Sequence, residues 1–260
     1  AHIICATEEQ SVDEVSKALD LIEYVTSVFG LKLDIDYRYR LSLGDRENGE
    51  KYFKNDAAWD EGEAMLREVL TKRKCHFVEA PSEAAFYGPK IDIQMRNFSG
   101  KEDTAFTVQY DFVMPSRFSL TYAASDGTDK LAVVVHRSSI GAIERIVAFL
   151  IEHYAGAFPF WLAPVQAAVL PVSEKFREYA ELVVQKLLEH DIRAELDASD
   201  ETLGKKIRNA ETQKIPYLFV IGDKEVEAQT VAVRKRSEGD KGAMPLDNII
   251  SQLKEEINLK

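Results

Sequence analysis

Cysteine is scarce: Cys5 and Cys75 are the only two in 260 residues. A disulfide framework is therefore excluded, and a reducing setting such as the cytoplasm is expected. No apolar run approaches the roughly 18–20 residues a membrane-spanning helix requires, so no membrane partner is expected. No charged-then-apolar leader with a cleavage site opens the chain, so no secretory signal is expected either. Glycine (13) and proline (8) are too few for a fibre or a low-complexity linker. Positive charge is in deficit: 33 Lys and Arg stand against 44 Asp and Glu, for a net charge of −11. That balance argues against broad, non-specific nucleic-acid binding. The deficit is uneven, with a net of −8 over residues 1–164 and −3 over 165–260, which leaves room for a local basic surface in the second part.

What the chain does have is pattern. Hydrophobic residues at 45% and charged residues at 30% give the balance of a globular protein. The length allows one large domain or two ordinary ones of roughly 100–200 residues. Ala1-His2-Ile3-Ile4-Cys5-Ala6 is apolar from the start and reads like the middle of a strand, so the chain is expected to begin inside a longer protein. Ser11-Val12-Asp13-Glu14 has capping-box spacing, and Val12, Val15, Leu19, Ile22 and Val25 follow at helical period up to Gly30. Tyr37 to Leu43 alternates as a strand, Gly44 to Lys54 is a charged loop, and a second helix is expected over 56–73. Ile91, Ile93 and Met95 alternate with Lys90, Asp92 and Gln94. Phe106, Val108, Tyr110 and Phe112 alternate with Thr107, Gln109 and Asp111, and Leu131 to His136 is a further run. Antiparallel strands with one core face and one polar face are predicted. The polar row reads either as a solvated face or as a cleft lining, since Lys90, Gln109 and Asp111 mix donors with acceptors.

A helix is predicted over 139–154, apolar almost all round and therefore buried. Glu144 and Arg145 sit within it, and burial cost alone leaves a structural ion pair and a functional site equally open. After a rigid connector, Gly156 to Pro164, the rhythm changes. Strands at 167–172, 192–196, 217–221 and 231–234 alternate with helices at 174–190, 202–214 and 246–257, which predicts a small α/β domain with a largely parallel sheet. Gly222-Asp223-Lys224 reads as a turn.

Four stretches carry a resemblance: Ala1-His2-Ile3-Ile4-Cys5; Phe86-Tyr87-Gly88-Pro89-Lys90-Ile91-Asp92; Gln109-Tyr110-Asp111-Phe112 with Pro115-Ser116-Arg117; and His136 through Gln166, with Gly141, Glu144-Arg145 and Trp161-Leu162-Ala163-Pro164. Together they resemble the C-terminal part of the threonyl-tRNA synthetase family, class II aminoacyl-tRNA synthetases, over essentially the whole chain. The resemblance implies an α/β protein in two parts: residues 1–160, a partial catalytic domain on an antiparallel sheet from the end of motif 2 through motif 3, and residues 165–260, a small α/β anticodon-binding domain. It implies a threonine–tRNA ligase using ATP and Mg²⁺, with tRNA-Thr as partner and a homodimeric full-length parent.

The resemblance also distributes roles. Arg145 matches the motif 3 arginine that lies against ATP, and Glu144 orients rather than reacts. Tyr87, Lys90 and Gln109 match residues lining the threonine and adenylate pocket, and Arg117 fits the pattern, although a surface ion pair would serve it as well. The family holds Zn²⁺ with one cysteine and two histidines, leaving an open position for the amino group and hydroxyl of threonine. His2 and His136 match the two histidines. Neither Cys5 nor Cys75 matches the cysteine, so the implied zinc site is incomplete. Taken alone, the two histidines read as ordinary strand-end residues. Glu225 and Arg234 match positions that read anticodon bases, while Lys205, Lys206, Arg208 and Arg236 are candidates for phosphate contacts.

Some positions depart from the family. Ala142 replaces a small hydroxyl residue, Thr104-Ala105-Phe106-Thr107 replaces a Gln-Cys-Gly/Ala-Thr run whose glutamine holds ATP, and Ser138-Ser139 replaces Ala-Ile. Motif 1 and most of motif 2 with its arginine have no counterpart here, so the chain by itself is expected to be inactive. The rival reading is a non-catalytic, synthetase-like tRNA-binding or accessory protein. A nucleotide-binding regulatory module ranks below both, because 165–260 contains no glycine-rich phosphate loop.

Overall fold

Thr7 opens the first helix. Its hydroxyl accepts from the Gln10 amide at 3.2 Å, so α1 (Glu8–Val28) starts one turn before the capping spacing at Ser11 suggests. Ser11 is buried, and its hydroxyl donates back to the Glu8 carbonyl at 2.7 Å. The computed structural model describes residues 1–258. They fall into two units, Ala1–Phe149 and Leu150–Lys260.

From the N-terminus the chain runs β1 (His2–Cys5), α1, β2 (Tyr37–Ser42), α2 (Asp56–Lys72), β3 (Phe77–Ala80), β4 (Lys90–Arg96), β5 (Glu102–Asp111), α3 (Met114–Arg117), β6 (Thr121–Ala123), β7 (Asp129–Leu131) and β8 (Val133–Ser138), all in the first unit, and then α4 (Ile143–His153), within which the boundary between the units falls. A six-stranded sheet has the order β1-β8-β5-β4-β2-β3, antiparallel throughout except for the parallel pair β2–β3. The period-2 alternation sorts its two faces. One face carries Tyr39, Leu41, Ile91, Ile93, Phe106, Val108 and Val135. All are fully buried, as are Leu19 and Ile22 of α1 and Leu66 and Leu70 of α2. Each such side chain contributes roughly 1.5–3 kcal/mol on burial. Tyr39 and Tyr110 on this face donate to Glu23 and Glu8 of α1, which seats that helix. The polar residues therefore share the opposite face.

α4 departs from the sequence reading. It begins at Ile143 rather than 139, because Ser138 still belongs to β8 and Gly141 turns the chain at φ +75°. Only Ile146 and Leu150 are buried. Ile143, Val147 and Ile151 are 71%, 48% and 48% exposed, and Glu144 and Arg145 lie at the surface. Apolar composition measures what a helix can bury, not what is there to cover it, so the burial cost argued for this pair is not incurred.

The second unit contains β9 (Ala167–Pro171), a 3₁₀ turn (Glu174–Phe176) running into α5 (Arg177–Leu188), β10 (Ala194–Leu196), α6 (Leu203–Thr212), β11 (Tyr217–Ile221), α7 (Asp223–Ala228), β12 (Thr230–Lys235), β13 (Gly239–Pro245) and α8 (Leu246–Asn258). The sheet order is β10-β9-β11-β12-β13. β10, β9 and β11 are parallel, but β12 and β13 add two antiparallel pairings, so the sheet is mixed rather than largely parallel. Val169, Phe219, Val231 and Val233 pack with Val183, Leu187, Ile250 and Leu253 of α5 and α8. On the other face Ala168, Leu170 and Leu218 pack with Ala210 of α6.

Two outcomes are expected. A Cβ at Gly141 would stand 2.1 Å from the Ala105 carbonyl oxygen. Gly141→Ala is therefore expected to cost about 3 kcal/mol, read as a lower urea midpoint. Arg38 and Glu102 form a bidentate pair across β4, at 2.7 and 2.5 Å, and the guanidinium holds the Glu102 carboxyl below the usual carboxylate range. A depressed folded-state pKa gives stability that is present above the unfolded value and lost as pH falls through the folded one. The stability difference between parent and Glu102→Gln should thus be largest near neutrality and vanish in acid.

Candidate functional site

Register places a polar row straight across the sheet of the first unit. His2 of β1 faces His136 of β8, His136 faces Gln109 of β5, Gln109 faces Lys90 of β4, and Lys90 faces Ser42 of β2. Four of the residues singled out from the sequence thus share one line on one face. The His2 and His136 rings lie 4.6 Å apart, edge to face, and Tyr87 lies 5.0 Å from His136. The Tyr87 hydroxyl donates to Gln109 Oε1. Burial, and then the charge of Asp111, push the Tyr87 phenol above its ordinary value, which keeps that donor protonated.

Two buried carboxylates hold the row. Asp92 Oδ2 accepts from Arg40 at 2.9 Å and Ser42 at 2.7 Å, and the Lys90 ammonium lies 2.9 Å away. Asp92 is fully buried, so the polar face is neither simply solvated nor simply a lining; at its centre it is a buried ion cluster. Asp111 is also buried. Its Oδ1 accepts from the amides of Val113 and Met114 at 2.9 and 2.8 Å, and its Oδ2 lies 2.6 Å from His136 Nε2. A carboxylate only accepts, so that nitrogen donates and the ring's orientation is fixed by Asp111.

Two imidazoles, one of them oriented by a buried carboxylate, form the kind of donor set zinc takes. They are only part of one. Among the described residues no three His, Cys, Asp or Glu side chains gather into a group able to hold a metal ion. Cys5 is buried and pairs in register with Val133, three residues along from His2.

Arg145 stands apart from the row. Its Nη1 donates to the Thr104 carbonyl at 2.5 Å, beside the register shift that breaks the β4–β5 ladder at Ile93/Gln94. The bulge explains why that carbonyl is free to accept. Arg117 makes no ion pair among the described residues. Its guanidinium lies 5.8 Å from the rings of both Phe53 and Phe86.

In the second unit Arg234 follows Val233 at a register shift in β12 and faces Leu218, and so shares the α6 face of the sheet. Glu225 lies on α7, beyond the carboxyl end of β11, and accepts from the Gly222 amide at 2.9 Å. The two do not touch. Arg208 is exposed on α6, and Lys205 pairs with Glu201 at 2.5 Å. Two of the expected phosphate contacts are overturned. Lys206 is buried and donates to the Pro171 and Asp197 carbonyls, at 3.2 and 3.1 Å. Arg236 donates to the carbonyls of Lys214, Ala157 and Phe158. Both cations are engaged by backbone. Lys214 likewise donates to Ala155, and Arg193 to Trp161 and Ala163, so the connector is laced by side chains from far along the chain. Sequence reasoning also missed the Asp92–Arg40 centre. An aspartate in an alternating strand carries no mark of burial, and only the cross-strand register shows it.

Residues 1–154 match the tRNA synthetase class II core domain of the G, H, P, S and T enzymes, and residues 166–256 match an anticodon binding domain. The chain belongs to the class II tRNA synthetase core family. It is 47% identical over 260 residues to a threonine–tRNA ligase of Chloroherpeton thalassium and 49% identical over 257 to one of Halalkalibacterium halodurans. All of the chain is covered in the first match and 98% in the second, but it spans only 39% of either relative's length. Among solved structures, the RNA binding domain of threonyl-tRNA synthetase from Cryptosporidium parvum superposes with a TM-score of 0.88 at 33% identity, covering 98% of this chain and 62% of that one.

Removing Asp92 strands Lys90 and leaves Arg40 only the longer pair with Glu83, at 3.6 Å. Asp92→Ala is expected to cost about 3–5 kcal/mol in chemical unfolding, and Asp92→Ala with Arg40→Met to recover part of it. A parent-like midpoint for the single variant would remove Asp92 from the centre of the cluster.

Proposed function

We propose that the chain is the C-terminal part of a threonine–tRNA ligase, working in the cytoplasm as part of a homodimeric parent. The row His2–His136–Gln109–Lys90 under Tyr87, in a chain similar to threonine–tRNA ligases along its whole length, is the observation that carries this reading.

In the first step a threonine carboxylate oxygen attacks the α-phosphorus of ATP. The new O–P bond forms as the bond to the pyrophosphate oxygen breaks, giving threonyl-adenylate. In the second, the terminal ribose hydroxyl of tRNA-Thr attacks the acyl carbon and loses its proton, and AMP leaves. The protein's part is to fix charge before the reaction, which removes reorganisation cost. Lys90, anchored by Asp92, presents an ammonium at the middle of the row, and Arg145, anchored on Thr104, lies against ATP. Tyr87 and Gln109 orient each other and line the threonine pocket. Mg²⁺ offsets phosphate charge when bound. His2 and His136 would hold a Zn²⁺ ion together with a ligand from outside this chain, and the ion would supply a Lewis-acidic position selective for a hydroxyl-bearing amino acid. Glu225 and Arg234 read anticodon bases, with Arg208 and Lys205 at phosphates.

The test separates the two units. In a protein carrying this chain with its upstream catalytic part, threonine-dependent ATP–pyrophosphate exchange is expected. It should fall by roughly 10²–10³-fold in Arg145→Ala. Arg234→Ala should leave exchange intact and raise KM for tRNA. Absence of exchange with threonine would leave the binding-only reading standing.

A further inference from the structure

Gln94 shares the polar face of β4 with Lys90 and Asp92, and only 3% of it is exposed. A buried amide costs free energy unless it is hydrogen-bonded. The Gln94 Nε2 donates to the Thr104 hydroxyl at 2.6 Å, directly across the ladder. The register shift falls at this point. Ile93 faces Phe106 and Gln94 faces Thr104, so Ala105 is the extra residue on β5. A bulge releases backbone groups from the ladder and re-aims what lies beside it. Both bulge residues meet the segment that leads into α4. The Thr104 carbonyl accepts from Arg145 Nη1 at 2.5 Å, and the Ala105 carbonyl lies so near Gly141 that a Cβ there would stand 2.1 Å from it. Arg145 is exposed and forms no ion pair among the described residues, so the Thr104 carbonyl is its fixed point. Packing does little to hold this turn of α4: Ile143, Glu144 and Arg145 are all exposed, and Ile146 is buried.

We propose that Gln94 is a positioning residue for Arg145, an inference that rests on the ligase reading, in which Arg145 lies against ATP. The Gln94 amide pins Thr104, and with it the carbonyl on which the guanidinium docks. The link has two hydrogen bonds, Gln94 Nε2 to Thr104 Oγ1 and Arg145 Nη1 to the Thr104 carbonyl, joined by the backbone of a single residue. Without the first bond the bulge relaxes and its carbonyl moves. A cation aimed at charge that accumulates on phosphate loses its effect when displaced by about an ångström. Filling space alone would be served by an apolar side chain, such as those of Ile93 and Met95 on either side. Thr104 is also a position at which the chain departs from its family's run. The amide absent from β5 at that register stands on β4 instead, and the pair across the ladder is still an amide with a hydroxyl.

Gln94→Met keeps the volume and removes the hydrogen bond. In the 260-residue chain, deuterium uptake in peptides covering 102–106 and 139–150 is expected to rise several-fold, with the rest of the sheet unchanged. In a protein carrying this chain with its upstream catalytic part, kcat/KM for ATP in pyrophosphate exchange should fall about tenfold, while KM for threonine stays at the parent's value. In an Arg145→Ala background Gln94→Met should remove nothing more, because it acts through that side chain. Gln94→Thr with Thr104→Gln restores an amide–hydroxyl bond across the ladder and should recover the parent's ATP dependence, which Gln94→Thr alone should not. Unchanged ATP dependence in Gln94→Met, equal losses toward ATP and threonine, losses that add to those of Arg145→Ala, or unchanged deuterium uptake over 139–150 would each overturn the inference. A parent that fails to exchange pyrophosphate fails the ligase reading. Deuterium uptake, read without any substrate, then still decides whether Gln94 holds the seat of Arg145.

Discussion

The carboxylate of Asp111 joins β5, β8 and the start of α3 at one buried point. Burying it costs several kcal/mol, and three hydrogen bonds offset that cost: two backbone amides on one oxygen and an imidazole on the other. The amides belong to the start of α3, so the same group that fixes the His136 ring also fixes the short helix bearing Arg117. His136 in the polar row and Arg117, which stands over the rings of Phe53 and Phe86, are therefore referenced to one point.

Asp92 serves the same purpose on the neighbouring strand β4, by different means. Its partners are cations and a hydroxyl rather than amides, and it gathers them from β2 and β4. A sheet whose reverse face is mostly apolar tolerates this charge because Asp92 arrives already paired with Arg40 and Lys90. The result is a rigid polar surface with fixed donors, which suits a reaction in which negative charge accumulates on phosphate oxygens.

Much of this was legible in the sequence, for reasons that differ by element. Alternation in β4 and β5 is strong because one side of each strand is solid hydrocarbon, and β11 is found because its apolar run is buried on both faces. β13 escaped because Gly-Asp-Lys-Gly-Ala-Met-Pro has no period and pairs at an exposed edge. α7 escaped because six residues are too few to show one. The site residues become legible only through a resemblance. Neither composition nor spacing states that His2, His136, Gln109 and Lys90 lie abreast, because that depends on the register of four strands distant in sequence. Lys206 and Arg236 show the converse: both look like phosphate ligands in a string of letters, and both are taken up by carbonyl oxygens.

Those carbonyl clamps bear on where the second unit begins. A boundary drawn at residue 165, from the change of rhythm alone, would cut away the acceptors at Ala155, Ala157, Phe158, Trp161 and Ala163. Three long cations would then face solvent or one another where they now hold peptide oxygens. The connector is thus less a tether than the first folded segment of the second unit, and anyone isolating that unit should carry it along.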